Sequence, residues 1–242
     1  MVPIVIICFN NHVYVKNTVR QLGAINPAYI PTIRIMDNCS TRPETIDYLR
    51  GCGLEVIWNS GNVCPQVGPH NNTDVYNALP DRFILTDPDL QFNSRLPADF
   101  VDVLVQLSKK YGARAVGFAL DISDGADMFQ DTDYFAGQSI TEWESQFWHH
   151  RIHDDAFELY QAAIDTTFVL LTKNASNPGL HIRVAGDFTA RHLPWYPKNN
   201  IVDDEERRAM LNYSAKKIST IEKLIERHLS VQNPGAARAI QE

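Results

Sequence analysis

Short apolar runs of β-type sequence alternate with amphipathic helical segments over the first 120 residues, and this alternation constrains the fold more than any other feature. The apolar runs lie at 4–9, 32–38, 54–59, 82–87 and 114–122, and the helical segments lie at 13–25, 42–53 and 97–112. Strands that alternate with helices favour a mostly parallel sheet with helices packed on both of its faces. The sequence therefore predicts an α/β fold with a Rossmann-like central sheet.

Polar side chains follow the ends of four of these predicted strands. Asn10 and Asn11 follow the first strand, Asp37 ends the second, Asn59 ends the third, and Asp87 ends the fourth. In open α/β sheets the ligand lies in a crevice outside the carboxyl ends of the strands. We therefore expect these side chains to meet at one edge of the sheet, beside a bound ligand.

The second half of the chain is less regular. An aromatic-rich segment precedes a strand-like run at 166–171, and the sequence becomes charged and helical from Asp203 onward. We predict one domain at 1–200, with halves at 1–120 and 121–200, and a C-terminal helical extension at 201–242. Apolar residues at helical spacing within 218–229 suit packing on the chain's own domain, or docking on a partner or a membrane. The last ten residues are typical of a frayed tail or a linker.

Composition excludes several classes of protein. The 242 residues carry a formal net charge of −7, so no overall basic field attracts nucleic acid. No run approaches the roughly 20 apolar residues that span a bilayer. Because β-type sequence begins at Val2, we expect no leader peptide. We expect a cytoplasmic protein. The cysteines have no CxxC spacing and are expected to be free thiols: Cys8, Cys39, Cys52 and Cys64.

The sequence "FILTDPDLQF" places Asp87 and Asp89 on either side of Pro88, directly after a buried strand. Proline fixes φ, so the two carboxylates keep a set spacing. Such carboxylates suit Mn²⁺ or Mg²⁺, which bind a few protein oxygens together with waters and substrate phosphates. The alternative is that Asp87 caps the following turn and Asp89 is solvated.

The sequences "IVIICFNN", "IRIMDNCST", "VIWNSGN" and "FILTDPDL" resemble, in this order, the nucleotide-sugar half of GT-A glycosyltransferases. The resemblance covers roughly residues 2–200 and is strongest to small GT-A domains of large DNA viruses of algae and amoebae, with bacterial relatives. It implies a metal-dependent enzyme that transfers a sugar from a nucleotide-diphosphate donor, a UDP-sugar, to a hydroxyl of a glycan or glycoprotein. A viral origin would place the protein in the host cytoplasm.

The resemblance also implies roles for individual residues. Asp37 would bind the uracil or ribose, Asp87 the ribose and the metal, and Asp89 the metal directly. Independently of the resemblance, Asp121 is a third acid at a strand end and is expected to hold the donor sugar or the acceptor. His192 would be a third metal ligand or a phosphate contact. The remaining residues expected in the nucleotide site are Phe9, Asn10, Asn11 and Asn38, with Ser40 beside them.

Transfer with inversion needs a carboxylate that accepts the proton of the acceptor hydroxyl. Asp165 precedes an apolar strand, where an acid is costly unless it is used or paired, so it is the first candidate base. Glu144 is the second. It lies between tryptophans that could stack on sugar rings. The predicted acceptor contacts are Trp143, Trp148 and Trp195. A retaining enzyme would need no separate base.

Two departures from the family pattern leave alternatives open. The late "ED" pair of many inverting glycosyltransferases is missing, and "DDEE" at 203–206 is typical of a solvated helix start. A sugar-phosphate nucleotidyltransferase shares the architecture, but it would carry a glycine-rich loop with Arg and Lys after the first strand. A non-catalytic module that binds a sugar or a nucleotide is the third possibility. The oligomeric state is not predicted.

Overall fold

The structure is a computed structural model that describes residues 1–62, 65–130, 132–213 and 220–232. Cys64 and the predicted tail at 233–242 lie outside the described residues, as does part of the predicted C-terminal extension. Elements of the first half follow in chain order: β1 (Ile4–Cys8), α1 (His12–Ile25), β2 (Ile33–Asp37), α2 (Pro43–Gly51), β3 (Glu55–Trp58), α3 (Thr73–Ala78), β4 (Arg82–Thr86), β5 (Leu90–Phe92), α4 (Phe100–Tyr111) and β6 (Ala113–Leu120).

The second half contributes both strands and helices. Its elements are α5 (Ile140–Ser145), β7 (Arg151–Ile152), β8 (Leu159–Gln161), β9 (Val169–Thr172), β10 (Asn177–His192), α6 (Asp204–Asn212) and α7 (Thr220–Gln232). The strand expected at 166–171 begins three residues later, as β9. The 16-residue strand β10 was not predicted, although its last residue, His192, was singled out.

The described strands form one sheet in the order β3-β2-β1-β4-β9-β6-β10-β8-β7, and β5 pairs with β10. Strands β3, β2, β1 and β4 are parallel neighbours, with Ile4 opposite Ile33 on one side and Ile84 on the other. Strand β9 runs antiparallel between β4 and β6, and β10 is parallel to β6. The prediction of an α/β fold with a mostly parallel sheet is confirmed, and the two predicted halves share that sheet.

Apolar side chains cover both faces of the sheet. Helices α1, α2 and α4 pack on one face through Leu22, Leu49 and Leu104, and α3 packs on the other face through Val75. Glycine at position 112 ends α4 in the left-handed region (φ +64), where a Cβ would clash with the Ser176 side chain. The buried strands and their helices fix the position of the carboxyl edge of the sheet.

The C-terminal helices pack on the same domain. Leu224 and Ile225 of α7 are buried, so this helix covers its own fold, as the first of the two interpretations predicted. Asp203 caps α6 by accepting a hydrogen bond from Glu206 N at 2.8 Å. Glu206 is not solvated as expected, because it pairs with Arg42. Among the described residues, no helix is long and apolar enough to cross a membrane.

Candidate functional site

The turn Asp87–Pro88–Asp89 follows β4 at the carboxyl edge of the sheet and is held from two sides. Thr18 of α1 donates its hydroxyl to the Pro88 carbonyl at 2.5 Å. The Asp87 N–H donates to the Thr166 carbonyl at 2.7 Å. The turn separates two cavities: Asp89 lines one of about 300 Å³, here called the Asp89 cavity, and Asp87 lines one of about 410 Å³, the Asp87 cavity.

Asp89 and His192 are in contact across the wall between the cavities. His192 Nε2 lies 3.5 Å from Asp89 Oδ2, and the two side chains are only 14% and 19% exposed. Burial opposes a charge on His192, but the carboxylates of Asp89, Asp87 and Glu144 together raise its pKa. Asp89 Oδ1 and His192 Nδ1 are buried and have no hydrogen-bond partner among the described residues. Such atoms are rare in folded proteins and suit a missing ligand.

The Asp87 carboxylate turns away from this pair. Its Oδ2 accepts a hydrogen bond from the Thr166 hydroxyl at 2.5 Å. Burial raises the pKa of Asp87, and the nearby Asp89 carboxylate raises it further, against the effect of Thr166. Two acids so close repel each other when both are ionised, and a cation between them would relieve that repulsion.

The predicted three-residue metal set is not assembled in this arrangement. Among the residues that the structure describes, no group of three or more His, Cys, Asp or Glu side chains is placed to hold a metal ion. The reason is that Asp87 bonds to Thr166 while Asp89 and His192 contact each other. A carboxylate and an imidazole with unpartnered atoms do fit Mn²⁺ or Mg²⁺, whose remaining ligands are commonly waters and phosphates.

The Asp89 cavity has a polar side and an apolar side. The turn after β1 contributes Phe9, Asn10 and Asn11 to its wall, and their contact with a nucleotide stays a prediction. Asn11 Oδ1 accepts the Phe9 N–H at 3.1 Å, which fixes the turn. The opposite side consists of C-terminal residues that sequence reasoning did not assign to a site: Met210, Leu211, Tyr213, Ile221, Glu222 and Ile225.

Asp37 and Asn38 lie at the edge of the sheet, as expected, but they are buried and already bonded. Asp37 is 1% exposed, and its two oxygens accept hydrogen bonds from the hydroxyl and the N–H of Ser40 at 2.5 and 3.0 Å. Asn38 accepts a hydrogen bond from Asn59 Nδ2 at 2.8 Å. Neither residue lines the Asp89 cavity, so a direct contact with a nucleotide stays a prediction.

The Asp87 cavity brings together both predicted bases. Asp165 is exposed on the loop before β9, and Glu144 is a buried residue of α5. Glu144 forms an ion pair with Arg183 of β10, whose side chain is 5% exposed. Burial raises the pKa of Glu144, and Arg183 partly offsets that rise. Glu144 is therefore paired and buried, whereas Asp165 is exposed at the cavity, and the choice of Asp165 as first candidate base stays a prediction.

Aromatic rings line the same cavity, though not all of the predicted ones. Trp143 lies in the wall with its ring centroid 4.2 Å from that of Phe135. Trp195 is also in the wall and packs edge-on against His192 at 4.8 Å. Trp148 packs against Tyr160 instead and does not line the cavity.

Asp121 lies apart from both acids of the turn. It lines a third cavity with Asn93 and Arg191, and its Oδ1 accepts the Ser123 N–H at 2.9 Å. A role in holding the donor sugar therefore finds no support in its position. Arg183 is a site residue that sequence reasoning missed, and an arginine within an apolar stretch of strand was the signal for a buried partner.

No protein-family model matches this sequence, and no curated protein matches it at a significant level. The structure is similar to that of the mannosyltransferase PcManGT from Pyrobaculum calidifontis in complex with GDP-Man and Mn²⁺, with 12% identity, a TM-score of 0.47, and coverage of 98% of this chain and 73% of that one. It is also similar to TarS 1–349 from S. aureus, with 13% identity, a TM-score of 0.44, and coverage of 100% and 76%.

A third similar structure is glucosyl-3-phosphoglycerate synthase from Mycobacterium tuberculosis in complex with phosphoglyceric acid. It has 11% identity and a TM-score of 0.41, and the alignment covers 72% of this chain and 57% of that one. At these identities and TM-scores the function of the chain has to be inferred from its own site. The viral relatives and the cytoplasmic location stay predictions.

Proposed function

We propose that this chain is a divalent-metal-dependent glycosyltransferase that moves a sugar from a nucleoside-diphosphate donor to a hydroxyl of a glycan. One observation carries the proposal. The Asp87–Pro88–Asp89 turn supplies one acid to each of two adjoining cavities, and the Asp89–His192 pair lies in the wall between them. A group transfer needs such an arrangement, with two substrates on either side of one reacting centre.

The Asp89 cavity suits the nucleotide. Its apolar side can accept a base, and its polar side, formed by Asp89, Asn11 and Asn62, can face ribose and phosphate. Asp89 and His192 would hold Mn²⁺ or Mg²⁺. Bound there with the diphosphate, the cation would stabilise the negative charge of the leaving group. UDP-sugars are the donors that the sequence resemblance favours.

The Asp87 cavity suits the acceptor. Trp143 offers a ring face for a sugar, and Asp165 is a carboxylate on the cavity wall. In the reaction the acceptor oxygen attacks the anomeric carbon, the bond from that carbon to the phosphate oxygen breaks, and the nucleoside diphosphate leaves. For transfer with inversion, Asp165 takes the hydroxyl proton as the new bond forms. Asp87, held by Thr166, lines the same cavity.

Calorimetry with UDP and GDP, each with and without Mn²⁺, tests the donor half of this proposal. We expect one of the two nucleotides to bind in a Mn²⁺-dependent manner, and Asp89→Asn to weaken that binding by at least tenfold because a direct ligand loses its charge. Asp102→Asn, on helix α4 away from both cavities, is the matched control and should bind as the wild type does. Nucleotide binding that ignores both Mn²⁺ and Asp89→Asn would overturn the proposal.

A further inference from the structure

The nucleotide site predicted from the sequence is closed on the side where it was expected to open. Asp37 and Asn38 are 1% and 2% exposed, and each makes hydrogen bonds within the protein. The Asp89 cavity instead extends towards the C-terminal helices. A nucleoside whose phosphates lie near Asp89 would therefore meet α6 and α7 rather than Asp37.

The side chains that these helices present to the cavity are apolar. Leu211 from the end of α6 and Ile221 and Ile225 from α7 face the cavity opposite Phe9 and Tyr14. Leu211 and Ile221 are half-buried and leave surface for a ligand to cover. Apolar walls with a few polar groups at one end are the usual form of a site for a flat, partly polar ligand.

Contacts distant in sequence fix this wall to the rest of the domain. The Arg42 guanidinium donates to both carboxylate oxygens of Glu206, at 2.7 and 2.9 Å, and the Arg42 side chain is 7% exposed. Asn10 donates its side-chain amide to the Tyr213 carbonyl at 2.7 Å. A bidentate, nearly buried ion pair holds geometry well. Arg42 and Asn10, which make these two contacts, belong to the loops that follow β2 and β1, where the nucleotide site was predicted.

We propose that α6 and α7 form the apolar side of the nucleotide site, so that the nucleoside of the donor packs against Leu211, Ile221 and Ile225. This inference rests on the proposed function, since it names what recognises the donor. The C-terminal helices are then part of the binding site and not an appendage to it. The Arg42–Glu206 pair is a positioning contact that keeps them in place.

The direct test compares alanine variants of two half-buried leucines of the C-terminal helices. Calorimetry in the presence of Mn²⁺ measures their affinity for UDP or GDP, whichever of the two binds the wild type. Leu211→Ala is expected to weaken binding about tenfold, as the loss of buried apolar contact implies. Leu229→Ala is the control, because Leu229 lies on α7 but does not line the cavity. Equal affinities for Leu211→Ala and wild type would overturn the inference.

The positioning contact is tested by charge reversal. Glu206→Arg should weaken binding of the same nucleotide at least tenfold, and Glu205→Arg, at an exposed neighbour, should not. Arg42→Glu combined with Glu206→Arg should recover part of the affinity, because Glu44, which also pairs with Arg42 at 3.2 Å, would repel the new glutamate. Tighter binding by Glu206→Arg would overturn the inference by showing that the helices obstruct the site. If Glu206→Arg does not fold, the leucine pair decides. If the wild type binds neither nucleotide, the proposed function itself fails.

Discussion

The two cavities beside the Asp87–Pro88–Asp89 turn differ in the parts of the chain and in the forces that close them. The Asp89 cavity joins the first strand's turn to α6 and α7, and its far side is apolar. Apart from Gln66, Asp87 and Leu120, the Asp87 cavity is bounded by residues of the second half, among them aromatic rings and the buried Glu144–Arg183 pair. The Asp87–Pro88–Asp89 turn therefore places one carboxylate in each of two cavities that differ in polarity.

This difference suggests how the proposed reaction is divided. Apolar contact is tolerant of direction and suits the binding energy of a nucleoside. A buried ion pair fixes the positions of its partners, because moving either one exposes an unpaired charge. In the proposed reaction, the Asp87 cavity would supply precise orientation and the Asp89 cavity would supply most of the affinity. Variants on the two sides should separate rate from binding.

The largest expected effect is on rate, from the Asp87 side alone. Asp165→Asn should lower kcat about 10²–10⁴-fold, as loss of a general base does, and leave the nucleotide Kd unchanged. Release of nucleoside diphosphate from the donor that binds gives kcat, and calorimetry gives Kd. Asp155→Asn, fully exposed between β7 and β8 and not lining either cavity, is the control. A large loss of nucleotide affinity in Asp165→Asn would contradict the separation of rate and binding between the two cavities. An unchanged kcat would show that Asp165 is not the base.

The next effect is on stability, and it distinguishes a structural Glu144 from a catalytic one. Glu144→Ala leaves the Arg183 guanidinium buried without its partner, so the free energy of unfolding should fall by about 3–5 kcal/mol. Urea denaturation measures the loss, and Glu205→Ala, at an exposed position on α6, should change it by less than about 0.5 kcal/mol. A Glu144→Ala protein as stable as the wild type, yet inactive, would make Glu144 the base instead.

Local sequence patterns predicted the parallel part of the sheet well. Strands β1, β2 and β4 lie within one residue of the predicted runs. Continuous apolar, β-branched sequence is typical of a strand that is buried on both faces of a parallel sheet. Strand β10 escaped because polar residues, a proline and two glycines interrupt it, and its pairing with β6 shifts register twice. Its pairing with β6 on one side and β8 on the other makes it a strand, and this pairing cannot be read from the local sequence.

Sequence patterns predicted the site residues that lie at strand ends, but they missed the contacts between residues far apart in the sequence. Asp89 and His192 lie in contact because strand ends meet at one edge of a sheet, whereas Asp87 bonds to Thr166 instead. The Arg42–Glu206 pair joins residues 164 positions apart, which no spacing rule connects. A local signal did exist for the internal hydrogen bonds of Asp37. Ser40 is three residues further along the chain and can donate a hydrogen bond to an aspartate within the same turn.

The smallest effect concerns how far the Asp89 cavity reaches into the sheet. Cys8 ends β1 one residue before Phe9, and it is fully buried. Burial, with the nearby Asp37 carboxylate, raises the pKa of the Cys8 thiol to about 12, so at pH 8 the thiol is almost entirely neutral and unreactive. Iodoacetamide on the native protein at pH 8 should label Cys39 and Cys52, both half-buried, well before Cys8, as read by peptide mass spectrometry.

Labelling of Cys8 should rise only when the protein is unfolded in urea, which exposes the thiol and returns its pKa to the ordinary value. Bound nucleotide should then make no difference to Cys8 in the folded protein, because the cavity ends at the turn of Phe9 to Asn11. Labelling of native Cys8 as fast as that of Cys39, with protection by nucleotide, would show that the Asp89 cavity opens down to β1. The apolar side formed by α6 and α7 would then be only one of two places where a base could lie.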